Sequence, residues 1–344
     1  MSDIKILFSK ESIYFLIVVG LCTAIIGFFV GEHVEMRKYD NYFDSFKPKR
    51  ILNNDYKLVA PLVGIESNSA NTIGRLYGLE RDVKKYLKNN NDKVTDFSIY
   101  FRDLNSAEWV GFNEDKGFLP ASLLKIAVAI KILKQQEDKG NFSNTKKPYT
   151  QKLADIEKEL PNLAQSELKI GQYYDVDFLL EKMMIDSDNG AKDMLFDMVN
   201  KEEFNKLFRL IDVKQPTEVL NYELSSKDYS FFLRMLYSST YLGAENSQKL
   251  LDILTKVKFE HGLVKGLPPH VIVAHKFGTF TGTDKDGNVS FLELHDCGII
   301  YNQKHPYILC VMTKGDDMNK MSDFIAGISK VVYDSAEEHY GDGD

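Results

Sequence analysis

Three short stretches hold side chains that could do chemistry together. In LPASLLKIAVAIKILKQQ, residues 119–136, Ser122 and Lys125 stand three apart, so in a helix they share one face of a turn. A serine hydroxyl is a poor nucleophile until a base takes its proton. A lysine can be that base only where burial or another cation lowers its pKa. Lys125 fits on a helical wheel: it lies about 180° from Lys134 and roughly 120° from Lys131, the residues that mark the solvent face. A purely structural alternative makes Ser122 a helix N-cap and lets Lys125 reach out to water. In MMIDSDNGAKDML, Ser187, Asp188 and Asn189 fall between two apolar-periodic segments, just before Gly190. A hydroxyl and an amide there could relay a proton and hold a substrate carbonyl, although Ser-Asp-Asn-Gly is also ordinary turn and cap chemistry. In VAHKFGTF, Lys276 sits in an alternating strand two residues before Gly278. A glycine there would let another backbone lie close along the strand.

These motifs, in this order, resemble those of the penicillin-recognising serine hydrolases: the class A β-lactamases and the low-molecular-mass penicillin-binding proteins. The resemblance spans about residues 75–335 and includes HDCGIIY and PYILCVMTKG, similar to the family's last two strands. It implies that Ser122 is the acyl-accepting nucleophile and that Lys125 is its general base, or the residue that tunes it. Ser187 would pass a proton to the leaving nitrogen, Asn189 would bind the substrate amide, and Lys276 would hold the substrate carboxylate. The backbone N–H groups of Ser122 and of Thr279, the residue after Gly278, would form the oxyanion hole.

Two departures stand out. The family has Thr or Ser between the lysine and glycine of the third motif, and here it is Phe277; Thr279 is a candidate substitute for the missing hydroxyl. In class A β-lactamases a Glu-x-x-x-Asn pattern activates the deacylating water. The corresponding region here, KQPTEVLNYELSSKD, offers Glu223, with Glu218 as the alternative, and neither reproduces the pattern because Asn221 follows Glu218 by three. Without a working base the acyl group would leave slowly, as in penicillin-binding proteins.

The elements that must position these residues read as follows. GLERDVKKYLKN has helical spacing. TDFSIYFRDL and EWVGFNE form a hairpin about Asn105 and Ser106, and the Ser122 helix follows. Residues 151–237 are helical in pattern, the period switches to two from His270, and a last helix covers about 318–333. The expected architecture is a two-lobed α/β fold. One antiparallel sheet is flanked by the first and last helices, and an all-helical lobe spans about 140–240, with the site in the cleft between them. Asp284–Asn288, DKDGN, reads as a hairpin turn, since His295 stands where a calcium loop needs Glu. His275 and His295 read as structural, and Cys297 and Cys310 face each other across the last hairpin, either as small buried apolar residues or, outside the membrane, as a bonded pair.

The chain has 344 residues, 27% of them charged, and a net charge of −7. No basic block or aromatic-basic repeat is present, which excludes a nucleic-acid partner. Three cysteines are too few for a disulfide scaffold. Residues 13–30, IYFLIVVGLCTAIIGFFV, form an 18-residue uncharged run without a good cleavage site, so the reading is an uncleaved transmembrane anchor. The domain plan is then a short segment 1–12, an anchor 13–30, a juxtamembrane linker 31–72, a serine hydrolase domain 73–337 and an acidic tail 338–344. Lys and Arg flank the anchor on both sides, so the external placement of the domain follows from the implied chemistry instead. No metal or organic cofactor is expected. The expected partners are a β-lactam or a peptidoglycan stem peptide and, through the anchor, the membrane, with a monomeric catalytic domain.

Overall fold

Two periodicities divide the chain, and the computed structural model turns each into a layer. Residues 56–65, 76–140, 142, 145–158, 166–216, 222–302 and 305–340 are described, with a strand at 48–50 and positions 19, 23 and 27. The chain divides into two units, Met1–Lys47 with Glu66–Arg75, and Pro48–Ile65 with Leu76–Asp344. In the first, Thr23 Oγ1 donates to Val19 O at 3.0 Å, a helical back-bond. The rest of the expected anchor lies outside the described residues. Among the described residues no helix is long and apolar enough to cross a membrane.

In the second unit, β1 (Pro48–Arg50) pairs with β2 (Leu62–Ile65), and α1 (Tyr77–Asn90) leads into β3 (Asp96–Asp103) and β4 (Trp109–Phe112). A short β5 (Gly117–Phe118) and a 3-10 turn (Ala121–Leu124) precede α2 (Lys125–Lys139). After β6 (Lys146–Pro148), α3 (Gln151–Lys158) and β7 (Tyr173–Asp175) come α4 (Val176–Ile185), α5 (Asn189–Phe196) and α6 (Lys201–Leu210). Then β8 (Leu224–Ser225), α7 (Ser226–Tyr237) and α8 (Ala244–Leu254) close the helical block. The C-terminal meander is β9 (Ile272–Thr283), β10 (Val289–Tyr301) and β11 (Tyr307–Gly315), followed by α9 (Met318–Tyr340).

The main sheet has the order β4-β3-β11-β10-β9, so the N-terminal hairpin and the C-terminal meander join through β3 and β11, all antiparallel. Alternation sorts the side chains by face. Ile99, Phe101, Leu309 and Val311 pack with Val83 of α1 and Phe324 and Ile328 of α9. Cys297, Ile299, Cys310 and Met312 join Leu123, Ile126, Leu179 and Phe232 of the helical lobe in the larger core. Cys297 lies directly opposite Cys310, and the two are joined by a disulfide. Of the two readings, a bonded pair and separate apolar residues, the pair is the one found. Opposed positions on antiparallel strands bring two Cβ atoms within bridging reach.

Four lobe helices carry side-chain N-caps: Asp175, Asp188, Asn200 and Ser225 each accept the backbone N–H three residues on. α2 has none, and its first nine residues, Lys125–Leu133, are all buried. Burial on every side holds it in place of a cap. Lys131 is therefore not a marker of the solvent face. It is 3% exposed, and its Nζ donates to Tyr241 Oη at 2.9 Å and lies 3.5 Å from Glu203. α8 forms beyond the point where the helical pattern was expected to stop.

Candidate active site

Ser122 is placed by backbone more than by its own side chain. Ala121 before it has φ +48°, a left-handed conformation that costs a non-glycine residue roughly 1–3 kcal/mol and persists only where neighbours over-determine it. Leu123 N donates to Pro120 O at 2.9 Å, closing the 3-10 turn. Neither this turn nor α2 has a side-chain cap, so the capping alternative for Ser122 falls. On the other side lies β9. A Cβ added to Gly278 would stand 2.9 Å from Pro120 O and 3.3 Å from Ser122 N. The strand therefore runs flush against the serine's turn because position 278 has no side chain. Thr279, the next residue, is exposed.

Lys125 does not reach water. It is 3% exposed, and its Nζ donates to Ser187 O at 2.5 Å and to Ser187 Oγ at 3.1 Å. Lys276 arrives at the same hydroxyl from β9, donating to Ser187 Oγ at 3.1 Å and to Phe277 O at 3.1 Å. Two buried lysines from different elements thus converge on one serine. Burial holds the Lys125 ammonium well below its ordinary pKa, reinforced by the cations Lys276 and Lys192 and opposed by Asp188 and Asp193. Burial also lowers Lys276, to about 7, with Asp296 opposing. Lys276 faces Cys297 across the β9–β10 ladder, so the disulfide lies in the row beside it.

Ser187 itself has φ +57°. The residues around it hold that strained corner. Asp188 accepts from Ala191 N at 2.8 Å as the cap of α5, and Ser166 Oγ donates to its two carboxylate oxygens at 2.8 and 2.9 Å. Asn189, half-buried, is the first residue of α5. Ser166 escaped the sequence reading, since a serine 22 residues upstream carries no local signal for this contact. Phe277 stacks on Phe259 with centroids 4.2 Å apart, and Lys276 Nζ lies 4.2 Å from the Phe277 ring centre. An aromatic face stands where the hydroxyl was expected.

The structure brings Ser122, Lys125, Ser187, Lys276 and Gly278 to one place. Glu223 is not joined to them by any hydrogen bond or ion pair. It is exposed and lies against Gly117 of β5, where an added Cβ would be 2.9 Å from its Oε2. Glu218 lies outside the described residues.

A model described as the beta-lactamase enzyme family matches residues 78–336. No curated protein matches the chain. Among solved structures, the chain is similar to PBP-A, seen as a mutant in an acyl-enzyme complex with penicillin G, at 19% identity over 76% of this chain and 97% of that one, with a TM-score of 0.63. It is similar to a beta-lactamase from Chitinophaga pinensis at 19% identity over 74% and 99% of the two chains, TM-score 0.64. The TLA-1 extended-spectrum beta-lactamase gives 18% identity over 75% and 99%, TM-score 0.65. At these identities the likeness is one of fold.

Proposed function

The chain belongs to the beta-lactamase enzyme family, and from that premise we propose that it is an active-site serine hydrolase acylated at Ser122 by a β-lactam amide. The observation that carries this reading is the convergence of two buried lysines on Ser187, with Lys125 one turn from Ser122. A neutral Lys125 amine has two N–H groups, and both are used on Ser187 O and Oγ. Its lone pair is left to take the Ser122 proton as Oγ attacks the carbonyl. Ser187 Oγ accepts from Lys125 and Lys276, so its own O–H is free to turn toward the departing nitrogen. The backbone N–H groups of Ser122 and Thr279 would meet the oxyanion. Lys276 and Asn189 would hold the substrate's carboxylate and amide, and water would release the acyl group.

A second reading, a D-alanyl-D-alanine peptidase acting on peptidoglycan stem peptides, shares every step to the acyl-enzyme. The position of Glu223 favours it, because that carboxylate is exposed against Gly117 and makes no hydrogen bond or ion pair to the site from which to activate water. In a related third form, a slowly deacylating domain senses lactams or peptidoglycan. In each form we place the domain outside the cytoplasm, as a monomer held to the membrane by residues 13–30. The uncharged run and the Cys297–Cys310 disulfide support this placement.

Intact-mass measurement of the purified chain with benzylpenicillin over time tests the reading. An adduct that forms and vanishes within minutes is the β-lactamase result, and one that lasts for hours belongs to the peptidase or sensor. No adduct at any time would sink all three. Gly278→Ala is expected to slow adduct formation by roughly 10- to 100-fold, because the new Cβ must push β9 off the Ser122 turn. A rate within twofold of wild type would show that the close approach does not matter.

A further inference from the structure

We propose that Glu293 and His295 of β10 are a positioning pair that fixes the backbone carrying Ser122. β5 ends at Phe118, whose partner is Leu224 of β8. Leu119 follows with an N–H and a C=O that no strand receives, three residues before Ser122. Both are taken by side chains. Glu293 Oε2 accepts from Leu119 N at 3.1 Å, and His295 Nε2 lies 3.0 Å from Leu119 O. Thr313 N donates to His295 Nδ1 at 3.2 Å, which leaves the imidazole proton on Nε2, pointed at the Leu119 carbonyl. Glu293 Oε2 lies 3.4 Å from that same nitrogen, and the Phe118 ring meets the imidazole edge-on at 5.6 Å. Both side chains are buried, at 4% and 0% exposure. Such a grip on both polar groups of one residue does more than satisfy them.

The turn that follows needs restraint. Ala121 is held left-handed, and the Pro120 carbonyl and Ser122 N–H lie in the narrow space beside Gly278. Nothing local favours that conformation, so fixed points on either side must impose it. α2 is one such point and the Leu119 clamp is the other. His295 also stands directly opposite Gly278 in the β9–β10 register. The clamp and the wall of the site are thus referenced to one point of the sheet. Slack in the clamp would let Ser122 Oγ and N–H drift from the attack position while the lysines stayed in place. Both side chains are buried and spent on Leu119, and neither is among the groups proposed to hold substrate, so the effect belongs to the chemical step.

The inference rests on acylation at Ser122, and the experiment separates the two. Rapid-mixing kinetics with a fluorescent penicillin resolve non-covalent binding from the acylation rate constant. Glu293→Met and His295→Leu remove the clamp's acceptor and donor, and Glu293→Gln and His295→Gln restore them. Acylation is expected to slow by roughly 10- to 100-fold in the first two, with binding within about twofold, and to recover largely in the glutamine variants. An unchanged rate constant in Glu293→Met would overturn the proposal. So would a loss confined to binding, or glutamine variants no better than the others. Should His295→Leu fail to fold, the Glu293 pair carries the test alone. If wild type takes no penicillin, the function proposed above fails, and amide exchange of the 119–123 segment still reads the clamp. Exchange about tenfold faster in Glu293→Met than in Glu293→Gln, with α2 unchanged, supports it, and equal exchange refutes it.

Discussion

Ser122→Ala is expected to eliminate the penicillin adduct and to lower any turnover by about a millionfold, the scale on which a triad serine protease loses rate with its nucleophile. The magnitude follows from how little else at the site can bond to carbon. Lys125 is spent on Ser187 and on proton transfer, and Lys276 donates to Ser187 and Phe277. The Ser187 hydroxyl accepts from both lysines. It lies on a corner fixed by Asp188 and Ser166 and cannot swing round to replace Ser122. Non-covalent binding should survive, since the variant leaves the N–H of residue 122, Asn189 and Lys276 in place. Intact mass checks the adduct, and quenching of intrinsic fluorescence by the lactam checks binding. An adduct of unchanged mass and rate would move the nucleophile to another residue.

Much of this was legible in the sequence because the signals are local. Ser122 and Lys125 share one turn, Ser187 opens on turn chemistry, and the alternation around Lys276 fixes which residues face the lobe. What escaped was fixed by contacts far apart in the chain. Lys131 reads as solvent-facing on a wheel, and it is buried because α6 and the Tyr241 segment close over a helix that one wheel treats as half exposed. Cys297 and Cys310 read as facing each other and do so, but strand pairing alone does not say whether two facing cysteines bond. His295 was read as structural. That it clamps the residue three before Ser122, 176 positions away, depends on β10 passing behind the nucleophile's turn. Glu223 has the opposite history: its place in the chain suggested a base, and its exposed position against β5 gives it no partner at the site.

Lys125→Met should separate catalysis from stability. Loss of the base is expected to slow acylation by roughly 10²- to 10⁴-fold. The same change removes a cationic group that burial opposes, and methionine fits the apolar stem. The fold should gain stability wherever Lys125 would carry its proton, because burial opposes that charge. The lost donor to Ser187 O subtracts from that gain. The pH dependence has a definite sign. Folding lowers the Lys125 pKa from 10.5, so between the folded and unfolded values the unfolded chain binds more protons and wild-type stability rises with pH. The advantage of methionine is therefore largest at low pH, shrinks through that window and disappears near 10.5. Acylation needs Lys125 without its proton and Lys276 with one, so loss of the Lys125 proton raises the rate with pH and discharge of Lys276, at about 7, lowers it. The pair titrates together, so these limbs belong to both lysines. In Lys125→Met the rising limb should vanish and the falling limb remain. Urea melts at several pH values and rate profiles over the same range check both halves. A variant that is less stable at every pH, or that keeps the rising limb, would mean that Lys125 is not the buried base assigned here.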